Sequence, residues 1–341
     1  MSQPRTIPFS SSSSKDKTEE LLGYCDAPTY AKAYGSYAEL VKDPDIEVVY
    51  IATPHCRHFH NTMLCLEATR MCFAKRLLLS TRYFPLSLYV QEIIESSRIG
   101  PLERVLAEHS LSYAGGFVDD NHIMMNPKLA GGILRGGGIY SLTWVFEVLR
   151  IVQPELSRQP PLIKSTVAKY DYTEVDAMST ILLEFSRSKA DGGTDHAVTS
   201  TSLRLSNDSI AKEDDAMVPN IRIQVQYGEI QIFPPAYRPT RTRLILKNGL
   251  VVDKGWPQPG PGKGTGWYTG YRPALNPEGE SHGLFWEADD AGRSIMEGRK
   301  EGSRLGLDES ILIMEFMDKV RSEADIRYPY EVDTADYPLQ P

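Results

Sequence analysis

The stretch Ile46-Glu47-Val48-Val49-Tyr50-Ile51-Ala52-Thr53 decides the fold of the first part of the chain, and Pro54-His55 follows it directly. The run is β-branched and nearly all apolar, which is typical of a central parallel strand covered on both faces. A helical pattern follows over 58–68, then a second short strand over 71–74 and a second helical pattern over 85–97. Strand and helix alternating at this spacing predict a parallel α/β sheet domain over residues 1–101.

From Leu102 onward the pattern changes to strand-like runs that are separated by turn-rich polar segments. These runs cover 104–113, 163–170, 179–185, 198–205, 221–227 and 244–246, and helical patterns cover 139–151, 286–300 and 308–322. Such spacing favours an antiparallel sheet. We therefore predict a second, α+β domain over 102–341 with an open, mostly antiparallel sheet, and we expect the last helix to pack back on the first domain.

Composition limits the class of protein. The chain has 341 residues, of which 41% are hydrophobic and 24% charged, as in ordinary globular proteins of about two domains. The net charge of -8 disfavours nucleic acid and anionic membranes as partners. No apolar run has the roughly 18–20 residues of a membrane-spanning helix, and Met1–Ser14 lacks the apolar core of a signal peptide. We therefore expect a cytoplasmic protein. In that compartment its four cysteines should be free thiols.

Three histidines, His55, His58 and His60, follow the strand that ends at Thr53. A doubly wound fold places its ligand crevice at this edge of the sheet. They could begin a helix with polar groups, contact a cofactor or substrate, or bind a metal, but the recognised zinc spacings are absent and no metal is expected. Lys75 follows the next strand at the same edge, either as a solvated charge or as a functional group.

Two glycine-rich runs, 131–138 and 260–266, are candidates for phosphate binding. Neither contains the Gly-Lys-Ser/Thr of a P-loop, and neither lies between a strand and a helix of a βαβ unit. Both runs are therefore predicted to form turns.

Several segments together resemble the glucose-fructose oxidoreductase / inositol dehydrogenase family, in particular its dimeric dihydrodiol dehydrogenase and NADP-dependent D-xylose dehydrogenase branch. They are Lys-Ala-Tyr-Gly-Ser-Tyr-Ala-Glu-Leu (32–40), 43–55 with His58 and Asn61, Gly-Ile-Tyr-Ser-Leu-Thr-Trp (138–144), 228–230, Pro-Ala-Tyr-Arg-Pro-Thr (235–240), 287–289 and 307–310. The resemblance implies a Rossmann domain followed by a domain with an open sheet. It also implies hydride transfer between a sugar or diol carbon and NADP in a cleft between the domains.

The resemblance implies roles for individual residues. Lys75 and Tyr140 match the family's lysine and hydroxyl donor for proton transfer, a sensible pair because a nearby ammonium lowers the pKa of a phenol. Further residues are expected at the substrate cleft: His55, His122, Arg76 and Arg135. Cofactor contacts are expected from Ser10, Ser11, Lys15, Thr53, Pro54 and His55. The extra arginines suggest an anionic or carbonyl-rich small-molecule ligand.

The sequence departs from the family pattern at three places. It has no G-x-G-x-x-G/A loop, whose backbone amides would hold the pyrophosphate. Its first strand-like segment resembles the family's second strand. We therefore expect a truncated Rossmann domain that lacks the first βα unit. The family's Glu-Lys-Pro reads Ala74-Lys75-Arg76, and the aspartate of its Asp-x-Gly motif falls on Gly136.

Two hypotheses follow. The first is an oxidoreductase with impaired or altered cofactor use, in which the serines at 10–14 and Lys15 bind the 2′-phosphate of NADP while other groups replace the missing loop. The second is a former dehydrogenase that became a cofactor-free catalyst, such as an isomerase or cyclase, or a non-catalytic ligand-binding protein. In either case we expect a homodimer through 160–250, because an apolar sheet face would otherwise be left in water.

Overall fold

The structure, a computed structural model, describes residues 9–11, 14–24, 27–74, 80–96, 98–111, 119–189, 192–206, 217–258 and 283–338. Contacts between residues divide the chain into two units. The first comprises 1–78, 258–284 and 335–341, and the second comprises 79–257 and 285–334.

The first unit contains short parallel strands that alternate with helices. In chain order these are β1 (Phe9–Ser11), α1 (Lys15–Tyr24), β2 (Lys32–Tyr34), α2 (Tyr37–Lys42), β3 (Val48–Ile51), α3 (His58–Glu67) and β4 (Met71–Ala74). Strand β1 pairs with β2 and β3 pairs with β4, so the described strands form two separate parallel pairs. The predicted parallel α/β architecture is confirmed, and Val41, Ile51 and Cys65 form its small buried core.

An eight-stranded sheet lies at the centre of the second unit. Its spatial order is β12 (Val251–Gly255), β11 (Arg241–Leu246), β10 (Gly228–Ile232), β9 (Ile221–Val225), β5 (Leu102–Glu108), β8 (Thr194–Ser202), β7 (Asp176–Ser186) and β6 (Leu162–Lys169). All neighbouring pairs are antiparallel except β5 with β8. The predicted open, mostly antiparallel sheet is therefore confirmed.

Within the described ranges, five α-helices accompany this sheet. They are α4 (Pro85–Glu95), α5 (Ile139–Phe146), α6 (Leu284–Met296), α7 (Leu307–Glu323) and α8 (Tyr330–Asp333). Helix α5 continues at both ends as π-helical turns, Leu134–Gly138 and Glu147–Ile151. Its apolar side packs into the core, where the Phe146 ring meets Phe185 and Phe316 at centroid distances of 5.8 and 5.7 Å. Within the described ranges, no helix is both long and apolar enough to cross a membrane.

The boundary between the units differs from the predicted one at 101/102. Helix α4 was placed in the first domain, but Leu86 and Val90 are buried in the core of the second unit together with Val105. The chain therefore passes into the second unit at 78/79. The last predicted helix, 308–322, corresponds to α7, which lies in the second unit, as does α8. After these helices, the segment 335–341 is grouped with the first unit.

The outward face of the eight-stranded sheet is polar at its centre. The Glu229 carboxylate accepts hydrogen bonds from Arg222 (Nε 2.9 Å, Nη2 2.7 Å), from Gln224 (2.8 Å) and from Gln231 (2.7 Å). Arg104 Nε donates to the amide oxygen of Gln224 at 2.8 Å. The expectation of an apolar face is therefore wrong for strands β9 and β10, because every second residue there is charged or an amide.

Candidate functional site

Tyr140 lies in a cluster of three aromatic rings in the second unit, which we call the aromatic triangle (Tyr140, His109 and Tyr237). The ring centroids of Tyr140 and His109 are 5.3 Å apart with an interplanar angle of 86°, and those of His109 and Tyr237 are 5.6 Å apart at 65°. Tyr140 and Tyr237 are 5.8 Å apart. Tyr140 is the second residue of α5, His109 directly follows β5, and Tyr237 lies between β10 and β11. Three separate elements therefore bring these rings together.

Glycine allows the helix to approach the sheet at this point. A Cβ atom added to Gly137 would lie 2.8 Å from Ile133 Cδ1, 3.2 Å from Thr201 Oγ1 and 3.3 Å from His109 Cδ2. Gly137 and Tyr140 are three residues apart and so share one face of the helix. The run 131–138 was predicted to form turns, but the structure makes 134–138 a π-helical turn. Close approach to the sheet, rather than turn formation, accounts for Gly137.

A buried carboxylate holds the start of this helix. Asp176, on β7, accepts a hydrogen bond from the backbone N–H of Leu134. Gly132 adopts φ +110°, and a Cβ atom there would lie 2.0 Å from Asp176 Oδ1, so only glycine fits. Burial raises the pKa of Asp176 to about 7. Asp176 therefore ties the helix that carries Tyr140 to the sheet.

His109 is a neutral, buried ring at neutral pH. Its side chain is 1% exposed, and burial lowers its pKa to about 4. Its Nδ1 atom is buried and has no hydrogen-bond partner in the part of the chain that the structure describes. Its backbone N–H donates to the carbonyl of Ser200 at 3.1 Å, and its own carbonyl accepts from the Thr201 hydroxyl. The imidazole is thus fixed in position beside the predicted hydroxyl donor.

Arg135 and His122, which were expected at the substrate cleft, have partners of their own. Arg135 Nη2 donates to Asp318 Oδ1 at 2.7 Å, and its guanidinium lies 5.2 Å from the centre of the Tyr328 ring. His122 Nδ1 accepts from the backbone N–H of Met124 at 3.3 Å. These contacts among described residues do not include Tyr140. Arg135 is therefore one half of an ion pair and not an isolated positive charge.

In the first unit, helix α3 organises the turn that follows β3. The Nε2 atom of His58 lies 2.8 Å from the carbonyl oxygen of Thr53, and the Asn61 amide donates to the Thr53 hydroxyl at 3.0 Å. His55 begins a short 3-10 turn, and the ring of His60 stacks on Tyr337 at 6.3 Å. Each histidine therefore has a different environment. Within the described ranges, no three or more His, Cys, Asp or Glu side chains are placed to hold a metal.

Thr53 and Pro54, which were expected to bind the cofactor, line a pocket of about 600 Å³ in the first unit, together with Asn61. Its other described lining residues are mostly apolar, such as Val49 and Leu64. A hydroxyl, an amide and apolar walls suit the uncharged parts of a dinucleotide. No cation is found among the described lining residues, so they supply no charged partner for its phosphates.

Lys15, which was expected to bind a 2′-phosphate, is an exposed residue at the start of α1. Its ammonium lies 3.6 Å from the Glu19 carboxylate one turn along the helix. Ser10 and Ser11 lie in strand β1. Lys75 and Arg76 fall outside the described residues, so the proton-transfer role of Lys75 and the cleft role of Arg76 stay predictions.

Sequence reasoning missed His109 and did not assign a role to Tyr237. Tyr237 falls in the segment 235–240 that carries part of the resemblance, so the motif itself was a usable signal. His109 directly follows the carboxyl end of β5, a position at which functional side chains are often found in other sheets. No local pattern connects the two residues to Tyr140, because the triangle joins positions that are far apart in the chain.

Similar proteins are found by sequence, although no protein-family model matches the chain. D-xylose 1-dehydrogenase (NADP(+)) from Hypocrea jecorina is 37% identical over 360 residues, which span 97% of this chain and 86% of that relative. Trans-1,2-dihydrobenzene-1,2-diol dehydrogenase from Bos taurus is 27% identical over 326 residues, 88% of this chain and 84% of that relative. The resemblance inferred from the sequence motifs is therefore confirmed.

Solved structures share the fold. The aldose-aldose oxidoreductase from Caulobacter crescentus superposes with a TM-score of 0.65 at 17% identity, covering 92% of this chain and 88% of that one. A 3-ketoreductase from Actinomadura kijaniata in complex with NADP and TDP-benzene also gives 0.65, at 13% identity, covering 93% and 89%. At such identities the superposition is evidence for the fold alone.

Proposed function

This chain belongs to the glucose-fructose oxidoreductase / inositol dehydrogenase family, and we propose that it is an NADP-dependent oxidoreductase for a sugar or a cyclic diol, with altered cofactor binding. The 37% identity to an NADP-dependent D-xylose dehydrogenase over 97% of the chain supports the reaction class. The observation that carries the proposal is the position of Tyr140, whose half-buried ring stands in the aromatic triangle. Tyr140 is also the residue that matches the family's hydroxyl donor.

In this proposal the chain's own residues bind the substrate and move its proton. The chemistry that bound NADP would supply is that of a hydride acceptor for the substrate carbon. The Tyr140 hydroxyl exchanges a proton with the oxygen on that carbon. By the family resemblance, Lys75 is the residue whose ammonium would make the phenol more acidic. The neutral His109 ring adds no charge at this position. Thr53 and Asn61 would face the uncharged part of the cofactor, since they line the pocket of the first unit.

A second candidate is a former dehydrogenase that works without a nicotinamide cofactor. The observations that favour it are the two separate strand pairs of the first unit and the lack of a cation among the described residues of its pocket. A dinucleotide pyrophosphate is ordinarily held by backbone amides and charge-assisted contacts, and the sequence has no glycine loop to supply them. In this candidate Tyr140 would still act as a proton donor, in an isomerisation or cyclisation.

Calorimetry on the purified chain, paired with a turnover assay, tests the two candidates. We expect NADPH to bind with a Kd weaker than about 100 μM, since ordinary coenzyme affinity depends on the glycine loop. We expect NADP to bind better than NAD if Lys15 contacts the 2′-phosphate. D-xylose should be oxidised at high NADP concentration, seen as absorbance at 340 nm.

The outcomes separate the parts of the proposal. A Kd near 1 μM together with turnover would leave an ordinary dehydrogenase and remove the claim of altered binding. Equal affinity for NADP and NAD would remove the assignment of Lys15. No binding and no turnover with sugars or diols would contradict the oxidoreductase and leave the second candidate.

A further inference from the structure

We propose that His109 is a positioning residue for Tyr140, one that holds the ring whose hydroxyl transfers the proton. The claim rests on the proposed function, because the position of the ring affects turnover only if Tyr140 exchanges a proton with substrate. The two rings meet nearly at right angles, at 86° and 5.3 Å, a favoured arrangement for an aromatic pair. The contact therefore favours one orientation of the tyrosine ring over others.

Contacts from three sides fix His109 itself. Strand β8 holds its backbone through Ser200 and Thr201. Tyr237 packs against a second part of the imidazole at 5.6 Å. On the helix side, Gly137 lacks the Cβ atom that would come within 3.3 Å of the imidazole Cδ2. A ring held in this way cannot move aside without disturbing the sheet or the helix, so it is a rigid support for Tyr140.

His109 contacts two successive turns of the same helix. Gly137 and Tyr140 lie on one face, and the imidazole lies against both positions. A side chain that replaced the ring would therefore leave space next to Tyr140 rather than elsewhere in the core. Shifts of about 1 Å in a reacting group are enough to reduce turnover on the order of a hundredfold.

The ring itself, rather than a hydrogen bond at Nδ1, accounts for the contact. Nδ1 is buried without a hydrogen-bond partner among the described residues, so a hydrogen bond at this atom does not orient the imidazole. Burial keeps the imidazole neutral, since its pKa falls to about 4. A neutral aromatic ring of another kind should therefore substitute for His109, whereas an aliphatic side chain should not.

The test combines kinetics with a signal from Tyr140 itself. His109→Leu removes the ring and His109→Phe keeps one. Phe185→Leu is the matched control, because it breaks a similar pair of rings, Phe185 with Phe146 at 5.8 Å and 79°, at the opposite end of α5 from Tyr140. Each variant is labelled with 3-fluorotyrosine, and the fluorine resonance of Tyr140 is assigned by its loss in Tyr140→Phe. Turnover is measured with D-xylose and NADP.

We expect His109→Leu to shift the Tyr140 resonance and to lower kcat about tenfold or more while KM changes less than about threefold, because the ring acts on the proton transfer and not on binding. His109→Phe should stay within about threefold of the parent in kcat. Phe185→Leu should leave both the resonance and kcat per folded molecule unchanged.

An unshifted Tyr140 resonance in His109→Leu would overturn the proposal. A decrease in kcat for His109→Phe as large as that for His109→Leu would overturn it as well. If His109→Leu fails to fold, His109→Met takes its place, since methionine fills irregular space without a ring. If the parent protein oxidises no sugar or diol, the proposed function fails. In that case an unshifted Tyr140 resonance in His109→Leu would still contradict the contact on which the positioning role rests.

Discussion

The side-chain carboxylate of Asp176 on strand β7 accepts a hydrogen bond from the backbone N–H of Leu134, at the start of the helix that carries Tyr140. Only 1% of Asp176 is exposed, so this carboxylate lies in an environment that disfavours its charge. Burial is the main cause that raises its pKa to about 7, although the backbone N–H groups act in the opposite direction. The attachment of the helix to the sheet is therefore sensitive to protonation.

Asp176→Asn should flatten part of the pH dependence of stability. In the unfolded chain this carboxyl titrates near its ordinary value of 3.8, so between about pH 4 and pH 7 the folded protein keeps a proton that the unfolded chain has released. The contribution of protonated Asp176 to the free energy of unfolding is fully present below about pH 4. It is lost as the pH rises through 7, at up to about 1.4 kcal/mol per pH unit. Urea unfolding at pH 5 and pH 8 measures it. An identical pH dependence in the parent and in Asp176→Asn would contradict the assignment.

Arg82→Met should be strongly destabilising. Arg82 is fully buried, pairs with the Glu309 carboxylate, and has its Nε atom 3.8 Å from Glu147 Oε2. Without the guanidinium, two buried carboxylates lose their positively charged partner. The free energy of unfolding should therefore fall by about 3–5 kcal/mol. The control is Arg327→Met, whose pair with Asp325 is exposed and contributes less than about 1 kcal/mol. Equal losses for the two variants in urea unfolding would contradict the role of burial.

Two Gly→Ala substitutions in helices should have opposite effects. Gly137→Ala places a methyl group against Ile133, Thr201 and His109, and should cost about 1–3 kcal/mol because the core there has no space. Gly292, in α6, has no atom within 4 Å of an added Cβ, so Gly292→Ala should stabilise the helix by up to about 1 kcal/mol. Thermal unfolding measures both changes. Stabilisation by Gly137→Ala would show that the helix does not lie so close to the sheet.

Tyr140→Phe and Lys75→Met should each abolish most turnover and leave the fold intact. Losing a proton-transfer group lowers kcat about a hundredfold or more, and neither change opens a large cavity. Tyr172→Phe is the control, because that side chain is 79% exposed on the second unit. Steady-state kinetics and circular dichroism measure turnover and fold. Full activity of both variants would place the active site elsewhere.

The chain should form a homodimer through the outward face of the eight-stranded sheet. The Glu229 network gives this face a rigid set of charges and amides, which suits a polar interface better than the apolar one first expected. Light scattering should give twice the 38.2 kDa of one chain at micromolar concentration. Glu229→Arg should yield monomers, whereas Glu92→Arg, an exposed change of the same charge on α4, should not. A parent mass near 38.2 kDa would contradict the dimer.

Residue patterns predicted the sheet best where buried apolar residues alternate with more exposed ones. In β7, Ile181, Leu183 and Phe185 are buried and the residues between them are not, so the run 179–185 was identified. The strand begins earlier, at Asp176, which is buried but carries a carboxylate and so breaks the apolar pattern. Strand β12 was missed for a related reason, since it lies at the sheet edge and is mostly exposed.

The candidate site was predicted only in part. Tyr140 came from a motif of neighbouring residues, and that motif can be recognised in the sequence. Its neighbours His109 and Tyr237 depend on the packing of β5, α5 and the segment after β10, which no local pattern encodes. Hydrophobic periodicity reports which side of an element is buried. It does not report which distant element lies against that side.

Strand β5 has a consequence for biosynthesis. It lies between β8 and β9, with Glu108 in register with Ser200 and Ala107 with Ile221. A ribosome adding roughly 5–20 residues per second therefore leaves β5 without either partner for on the order of 5–20 s. Pairings between such distant segments also slow refolding relative to helical proteins. The aromatic triangle needs Tyr237, the last of its three residues to be synthesised, so a shorter nascent chain does not yet carry the site.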